Sequence, residues 1–279
     1  MFATIICENF APMSFGIMGE HGFAALIEAD GKNILLDTGQ GLGILNNAKL
    51  LGKKLDDIDT IVLSHGHRDH TGGLPPLLSR NKSCRIVAHP GVFDKKMVER
   101  KMGDKTVRLP IGIPMGREEL EKNSAALQLS EGPVEVAPGI WFSGEIPAKN
   151  DFELASPELL MEHPEGGVVQ DPFHDDAALF IRTGMGLSVI SGCAHRGIVN
   201  TIARARDVVG DIPLNCVIGG MHLGGASEER IGKTIEALRA SAPKIVAAGH
   251  CTSLESASLL REGLGKVFQF LAVGQRFEL

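Results

Sequence analysis

Apolar and polar positions alternate along this chain in two short rhythms. Phe23–Asp30 (FAALIEAD) and Asn33–Asp37 (NILLD) are apolar-rich runs joined through Asp30-Gly31, a pair that permits positive φ and predicts a hairpin. Ala3–Cys7, Thr60–Ser64 and Arg85–Ala88 predict further short strands, and Leu42–Leu51 a helix. The second half repeats this alternation. Ala177–Thr183 and Leu187–Ile190 pair across Gly-Met-Gly, a helix covers Ile198–Val209, and strands at Asn215–Ile218 and Ile245–Ala248 flank a helix over Glu228–Ser241. Ser227 caps that last helix, Glu228 and Glu229 sit where its positive end favours acids, and Ile231, Ile235 and Leu238 recur at helical spacing. Each half reads as a mainly antiparallel sheet with helices on one side. Two such halves bury their sheets face to face, which predicts an α/β, four-layer αββα sandwich.

Roughly residues 92–176 break the rhythm. Prolines and glycines alternate there with a basic segment, FDKKMVERKMGDK, and an acidic one, FELASPELLMEHPEGG. A long irregular insertion of this kind is expected to form a lid or substrate-binding region, with a solvated surface excursion as the alternative. The 279 residues are otherwise expected to form one domain.

The net charge of −6 excludes any general attraction to nucleic acid or to an anionic membrane. An anionic ligand must instead be drawn by a local positive site, which a bound metal would supply. No apolar stretch reaches the roughly 20 residues needed to cross a bilayer. The N-terminal MFATIICENF has neither a basic leader nor a small-residue cleavage site, so the expected compartment is the cytoplasm. Five cysteines without a C-x-x-C pair read as free buried thiols. Cys193 and Cys251 invite a thiolate-ligand or redox role, but small buried residues at strand ends are the expectation.

The chemistry concentrates in SHGHRDHTGG, Ser64 to Gly73. His65, His67 and His70 follow the Thr60–Ser64 strand, and strand ends facing a crevice are where α/β folds place ligands. In so tight a loop His65 and His67 can point to one side while Asp69 and His70 turn to a second point a few ångströms away. Gly72 and Gly73 let the backbone pass close to the site before a helix starts at Leu74. Imidazole nitrogens with one carboxylate suit zinc, iron or manganese.

H-x-H-x-D-H after a β run resembles the signature of the metallo-β-lactamase fold superfamily. LLDTG (Leu35–Gly39), GCAHRG (Gly192–Gly197) and GHCT (Gly249–Thr252) match its other motifs in order. The resemblance implies that His65, His67 and His195 hold one metal and Asp69, His70 and His250 the other, two divalent ions with zinc as the first choice. It places Asp37 behind a ligand imidazole, fixing its tautomer. Many hydrolases of this superfamily carry a bridging aspartate between the third and last motifs. Here that stretch reads GGMHLGG, so His222 becomes a candidate metal ligand, substrate-phosphate donor or general acid. With Asp69 and one bridging hydroxide, two divalent ions leave a formal charge of about +2, against about +1 with a bridging carboxylate. Such a site favours phosphate or pyrophosphate over a neutral amide or lactone.

EHG (Glu20–Gly22), DTGQ, GEIPAKNDFE (Gly144–Glu153), the Asp175-Asp176 pair, GCAHRGIVN and GGMHL together resemble the dihydropterin–ribofuranosylaminobenzene phosphate synthase family of methanopterin biosynthesis. That resemblance implies a transferase that joins a dihydropterin pyrophosphate to an aryl amine bearing a ribose phosphate and releases pyrophosphate. Asp69 and His222 would be its catalytic residues, with Arg196, Lys149 and His222 touching a phosphorylated small-molecule substrate. Ala148-Lys149 stands where arginine is expected, and Ser253 follows HCT where glycine is common. Two alternatives stand beside it: a phosphoesterase or other hydrolase using a metal-bound hydroxide, and a non-catalytic metal-dependent ligand sensor. The absence of tyrosine argues against the lactonases and thioester hydrolases of the fold, and His67 against its redox diiron members, which tend to carry glutamate there.

Overall fold

The computed structural model describes residues Met1–Leu279. Two seven-stranded sheets face each other. The first runs Arg276–Glu278, Phe2–Cys7, Ala24–Ala29, Lys32–Leu36, Thr60–Val62, Arg85–Ala88, Ala126–Leu129. The second runs Phe268–Phe270, Ile245–Gly249, Leu214–Gly220, Gly186–Ser191, Ala178–Thr183, Ile140–Phe142, Val134–Ala137. Strand alternation divides the apolar residues between layers. Ile34 and Leu36 point into the core between the sheets with Phe142, Ile190 and Ile218, whereas Leu35 points out against Ile44, Leu74 and Leu77 of the covering helices. On the far side Val189, Val217 and Val246 meet Ile202, Leu238 and Leu260 of the Ile198–Val209, Glu228–Ser241 and Leu254–Leu264 helices. This is the expected αββα sandwich. The Asp30-Gly31 turn has φ of 45° and 80°, the mirror-image turn geometry that a two-residue hairpin requires.

The expectation of mainly antiparallel sheets is corrected. Lys32–Leu36, Thr60–Val62, Arg85–Ala88 and Ala126–Leu129 run parallel, as do Gly186–Ser191, Leu214–Gly220, Ile245–Gly249 and Phe268–Phe270. Helices link most of these strands, as right-handed crossovers between parallel strands require. The consequence is functional: within each set, the carboxyl ends of the parallel strands open on one side.

The 92–176 segment is also more regular than its composition suggests. It supplies one strand to the first sheet, two to the second, and a separate four-stranded antiparallel sheet ordered Val168–Gln170, Leu159–Glu162, Lys96–Met102, Lys105–Pro110. The basic and acidic segments are neighbours in it, with Val98 opposite Leu159 and Lys95 2.8 Å from Glu162. Only a small apolar cluster, Val98, Leu159 and Phe173, is buried beneath this sheet, so its strands lack a clear alternation of buried and exposed positions and read as loop. No helix is long and apolar enough to cross a membrane.

One buried contact ties this small sheet to the rest. Lys96, 2% exposed, lies 2.6 Å from Asp171 and 2.8 Å from Asp175, and the other oxygen of Asp175 accepts from Gly66 N at 2.8 Å. Burial pulls the Lys96 ammonium down, but the two carboxylates outweigh it and raise it to about 12. Removing the cation leaves two buried carboxylates uncompensated. Lys96→Met is therefore expected to destabilise the protein by about 3–5 kcal/mol in denaturant unfolding; a loss under about 1 kcal/mol would contradict this.

Candidate metal centre

Every motif of the sequence arrives at the open ends of the parallel strands. Lys32–Leu36 delivers Asp37, Thr60–Val62 delivers His65 to His70, Gly186–Ser191 delivers His195, Leu214–Gly220 delivers His222, and Ile245–Gly249 delivers His250. Asp37, Ala194, His222 and His250 are non-glycine residues at φ between 44° and 58°, a region where strain gathers at functional loops. Close backbone approach holds the first two motifs together. A Cβ on Gly72 would stand 2.3 Å from Gln40 O, and one on Gly73 2.2 Å from Thr38 O.

Two groups of ring nitrogens result. His65, His67 and His195 form one, with Nε2 of His65 and His195 3.2 Å apart. In the other, His70 Nε2 lies 3.1 Å from His250 Nε2, and Asp69 Oδ2 lies 3.3 Å from His250 and 3.7 Å from His70. These side chains are buried; Asp69 is the partly open one.

The far nitrogens decide what the near ones can do. Asp37 accepts His70 Nδ1 at 2.7 Å, and Asn9 Oδ1 accepts His250 Nδ1 at 2.9 Å. Ser64 Oγ donates to Asp37 at 2.7 Å and so accepts His65 Nδ1 at 2.9 Å. In each neutral imidazole the proton is then on Nδ1, and Nε2 presents a bare lone pair. The facing Nε2 lone pairs of His70 and His250 call for a cation between them in a buried site, and His65 turns its own toward His195, whose Nδ1 is buried without a partner. His67 Nε2 is also buried without a partner. Two imidazole nitrogens on one tetrahedral zinc stand about 3.3–3.4 Å apart, close to the separations here, so the residues fit divalent ions.

Residues 18–250 match the family model described as the metallo-beta-lactamase superfamily. The chain belongs to this superfamily. It is 35% identical to the 7,8-dihydropterin-6-methyl-4-(beta-D-ribofuranosyl)-aminobenzene-5'-phosphate synthase of Methanocaldococcus jannaschii, over 97% of this chain and 94% of that one. Among solved structures, a metal-dependent hydrolase of the beta-lactamase superfamily superposes with a TM-score of 0.83 and 25% identity, over 100% of this chain and 99% of the other. A diphosphatase from the PhnP family shares the fold, with a TM-score of 0.52 and 13% identity over 100% and 97% of the two chains.

Within this metallo-β-lactamase fold the two residues expected to touch substrate are engaged with the protein itself. Arg196 donates to the carbonyls of Ile146 and Pro172, at 3.1 and 3.0 Å, bracing loops. Lys149 pairs with Asp207 at the surface. The arginines that line the cavities beside these histidines are Arg100, in a pocket of about 200 Å³ with His67, His195 and His222, and Arg230, in an adjoining one of about 610 Å³. His222 borders both; its Nε2 meets Ser156 Oγ at 3.0 Å and its Nδ1 is buried without a partner. Its ring lies within 4.8 Å of a His195 ring nitrogen and of Cys193 Sγ, on the side of the first group.

The Asp175-Asp176 pair has a supporting role: Asp175 grips Gly66 N and Asp176 grips Arg196 N at 2.9 Å, one carboxylate for each ligand loop. Glu153 of GEIPAKNDFE accepts Val199 N and Asn200 N, both at 2.8 Å, closing the start of the Ile198–Val209 helix. Sequence reasoning missed Asn9 and Ser64 as orienting groups, and His21, whose Nε2 is 3.2 Å from Asp69. Only the EHG resemblance pointed to His21.

Burial depresses His65, His67 and His195 below the usual imidazole range, His67 to about 3. Burial pulls His70 down too, but Asp69 and Asp37 outweigh it and raise the imidazole from 6.5 to about 9. In metal-free protein His70 is therefore expected to be protonated at about pH 7 while His67 is neutral at about pH 5. The His70 contribution to stability is complete below 6.5 and fades as pH rises through about 9. Imidazole nitrogen NMR checks this; a His70 that loses its proton near 6.5 would contradict it.

Proposed function

We propose that the protein is a metal-dependent enzyme acting on a phosphate- or pyrophosphate-bearing small molecule. His65, His67 and His195 hold one divalent ion and Asp69, His70 and His250 a second, with zinc the first candidate and iron or manganese next. The facing Nε2 lone pairs carry this reading, since a fold does not hold unpaired acceptors against each other in a buried site without a cation to compensate them. When bound, the ions supply Lewis acidity toward a phosphate oxygen.

The chain's own residues do the rest. Arg100 and Arg230 offset the charge of the phosphate groups, the role expected of Arg196 and Lys149. His222 holds one nitrogen on Ser156 and leaves the other free, which supports a proton transfer to the departing oxygen. The wider cavity, with Phe152 on its wall, has the size of a small-molecule site and accepts the organic part of the substrate. The name of the M. jannaschii relative supports a synthase of a dihydropterin–ribofuranosylaminobenzene phosphate, and the reading we favour is a transferase that joins a dihydropterin pyrophosphate to an aryl amine ribose phosphate and releases pyrophosphate. The second reading is hydrolysis, supported by the metal-dependent hydrolase that aligns along the whole chain. Five free cysteines suit a reducing compartment, the cytoplasm.

Metal-loaded protein is expected to release pyrophosphate from a dihydropterin pyrophosphate. Release that depends on the aryl amine marks the transferase, and release without it, or cleavage of bis(p-nitrophenyl) phosphate, marks the hydrolase. His222→Ala is expected to lower turnover by about 10²–10⁴-fold while metal content stays the same. Tight binding of the pterin pyrophosphate with no turnover of either compound would contradict an enzyme and favour a sensor.

A further inference from the structure

We propose that the Cys193 thiolate is a ligand shared by both cations, filling the bridging role that many hydrolases of the superfamily give to a carboxylate. The inference rests on the two-ion reading above. Cys193 Sγ lies 3.1 Å from His70 Nε2. It is within 4.8 Å of ring nitrogens of His65 and His195 in the first group and of His70 and His250 in the second. It therefore stands between the groups, against His70 of the second and within 4.8 Å of ring nitrogens of the first. His222, which follows the strand where the carboxylate is expected, does not: it reaches His195 and Cys193 and turns its Nε2 to Ser156.

The backbone accounts for this placement. A Cβ on Gly192 would stand 2.1 Å from Ser64 Oγ and 2.6 Å from Asp37 Oδ2, so the chain before Cys193 lies directly on the groups that orient His65 and His70. Ala194, at φ of 53°, then reverses the chain so that His195 turns back to the same site. The cysteine is held against ligand nitrogens rather than within the apolar clusters, and it is 2% exposed.

The chemistry is consistent with that position. Sulfur binds zinc at about 2.3 Å, longer than the about 2.0–2.1 Å of nitrogen, and a sulfur lone pair can serve each of two ions. Coordination breaks the S–H bond and its proton leaves to solvent, one proton per site filled. The thiolate lowers the formal charge of the centre by one, as a bridging carboxylate would, so Arg100 and Arg230 supply part of the attraction for phosphate.

The test uses the full chain loaded with Co²⁺, with cobalt content measured in parallel. Wild-type protein is expected to bind two cobalt ions per chain and to show sulfur-to-cobalt charge-transfer absorption in the near ultraviolet. Cys193→Ser is expected to lose most of that band, and Cys251→Ser to keep it. Two bound cobalt ions without the band, or a band that survives Cys193→Ser or disappears only in Cys251→Ser, would overturn the proposal and leave the histidine ligands standing. Failure to bind cobalt at all would overturn the two-ion reading and this proposal with it.

Discussion

Buried imidazole nitrogens that face one another with their lone pairs bare are the constraint from which the rest of this structure follows. His70 and His250 stand Nε2 to Nε2 at 3.1 Å, and the bare Nε2 of His65 lies 3.2 Å from that of His195. Asp37, Asn9 and Ser64 occupy the opposite nitrogens of His70, His250 and His65, so these rings cannot turn to relieve the contact. Burying unpaired acceptors costs about 1–3 kcal/mol each. Metal-free protein can answer that with a proton, which His70 takes because the Asp69 and Asp37 carboxylates outweigh its burial. A divalent ion answers it better, and the binding energy it returns offsets the cost of assembling the site.

The fold provides this assembly through parallel strands. Their open ends bring loops from both sheets to one place, and glycines at Gly72, Gly73 and Gly192 allow backbones and orienting side chains to pack where a Cβ would collide. The 92–176 segment reaches in from the side. Lys96 fixes Asp175, Asp175 fixes Gly66, and Gly66 lies between His65 and His67. Phe173 of the same segment stacks on His195, with centroids 4.0 Å apart and an 8° tilt. The small sheet and the ligand loops are thus mechanically one unit, and disturbance of either is felt by the other.

Local pattern and motif order carried the αββα layers, the Asp30-Gly31 hairpin, the Ile198–Val209 and Glu228–Ser241 helices and both histidine groups. The layers, hairpin and helices rest on periodicity or on residues a few positions apart, and the histidine groups, with His195 lying 130 residues from His65, rest on the ordered motifs of the superfamily resemblance. What depended on distant partners was not legible. Asn9 and His250 are 241 residues apart, Lys96 and Asp175 79, and Ser64 offers no signal beyond preceding a histidine. Arg196 and Lys149 were assigned to substrate from their place beside motifs, yet a guanidinium or ammonium is claimed by whichever acceptors the folded chain presents, here two carbonyls and Asp207. The four-stranded sheet was read as loop because a sheet that buries only a three-residue cluster needs no strict alternation of apolar and polar positions. Parallel pairing was missed for a related reason: strands buried on both faces lose the alternation that distinguishes their direction.

The most direct test of the two-cation centre is anomalous diffraction from crystals of zinc-loaded protein, recorded on either side of the zinc absorption edge. Two peaks are predicted, one within coordination distance of His65, His67 and His195 and the other of Asp69, His70 and His250. A single peak, or peaks with His195 and His250 turned away from the His65 loop, would contradict the account.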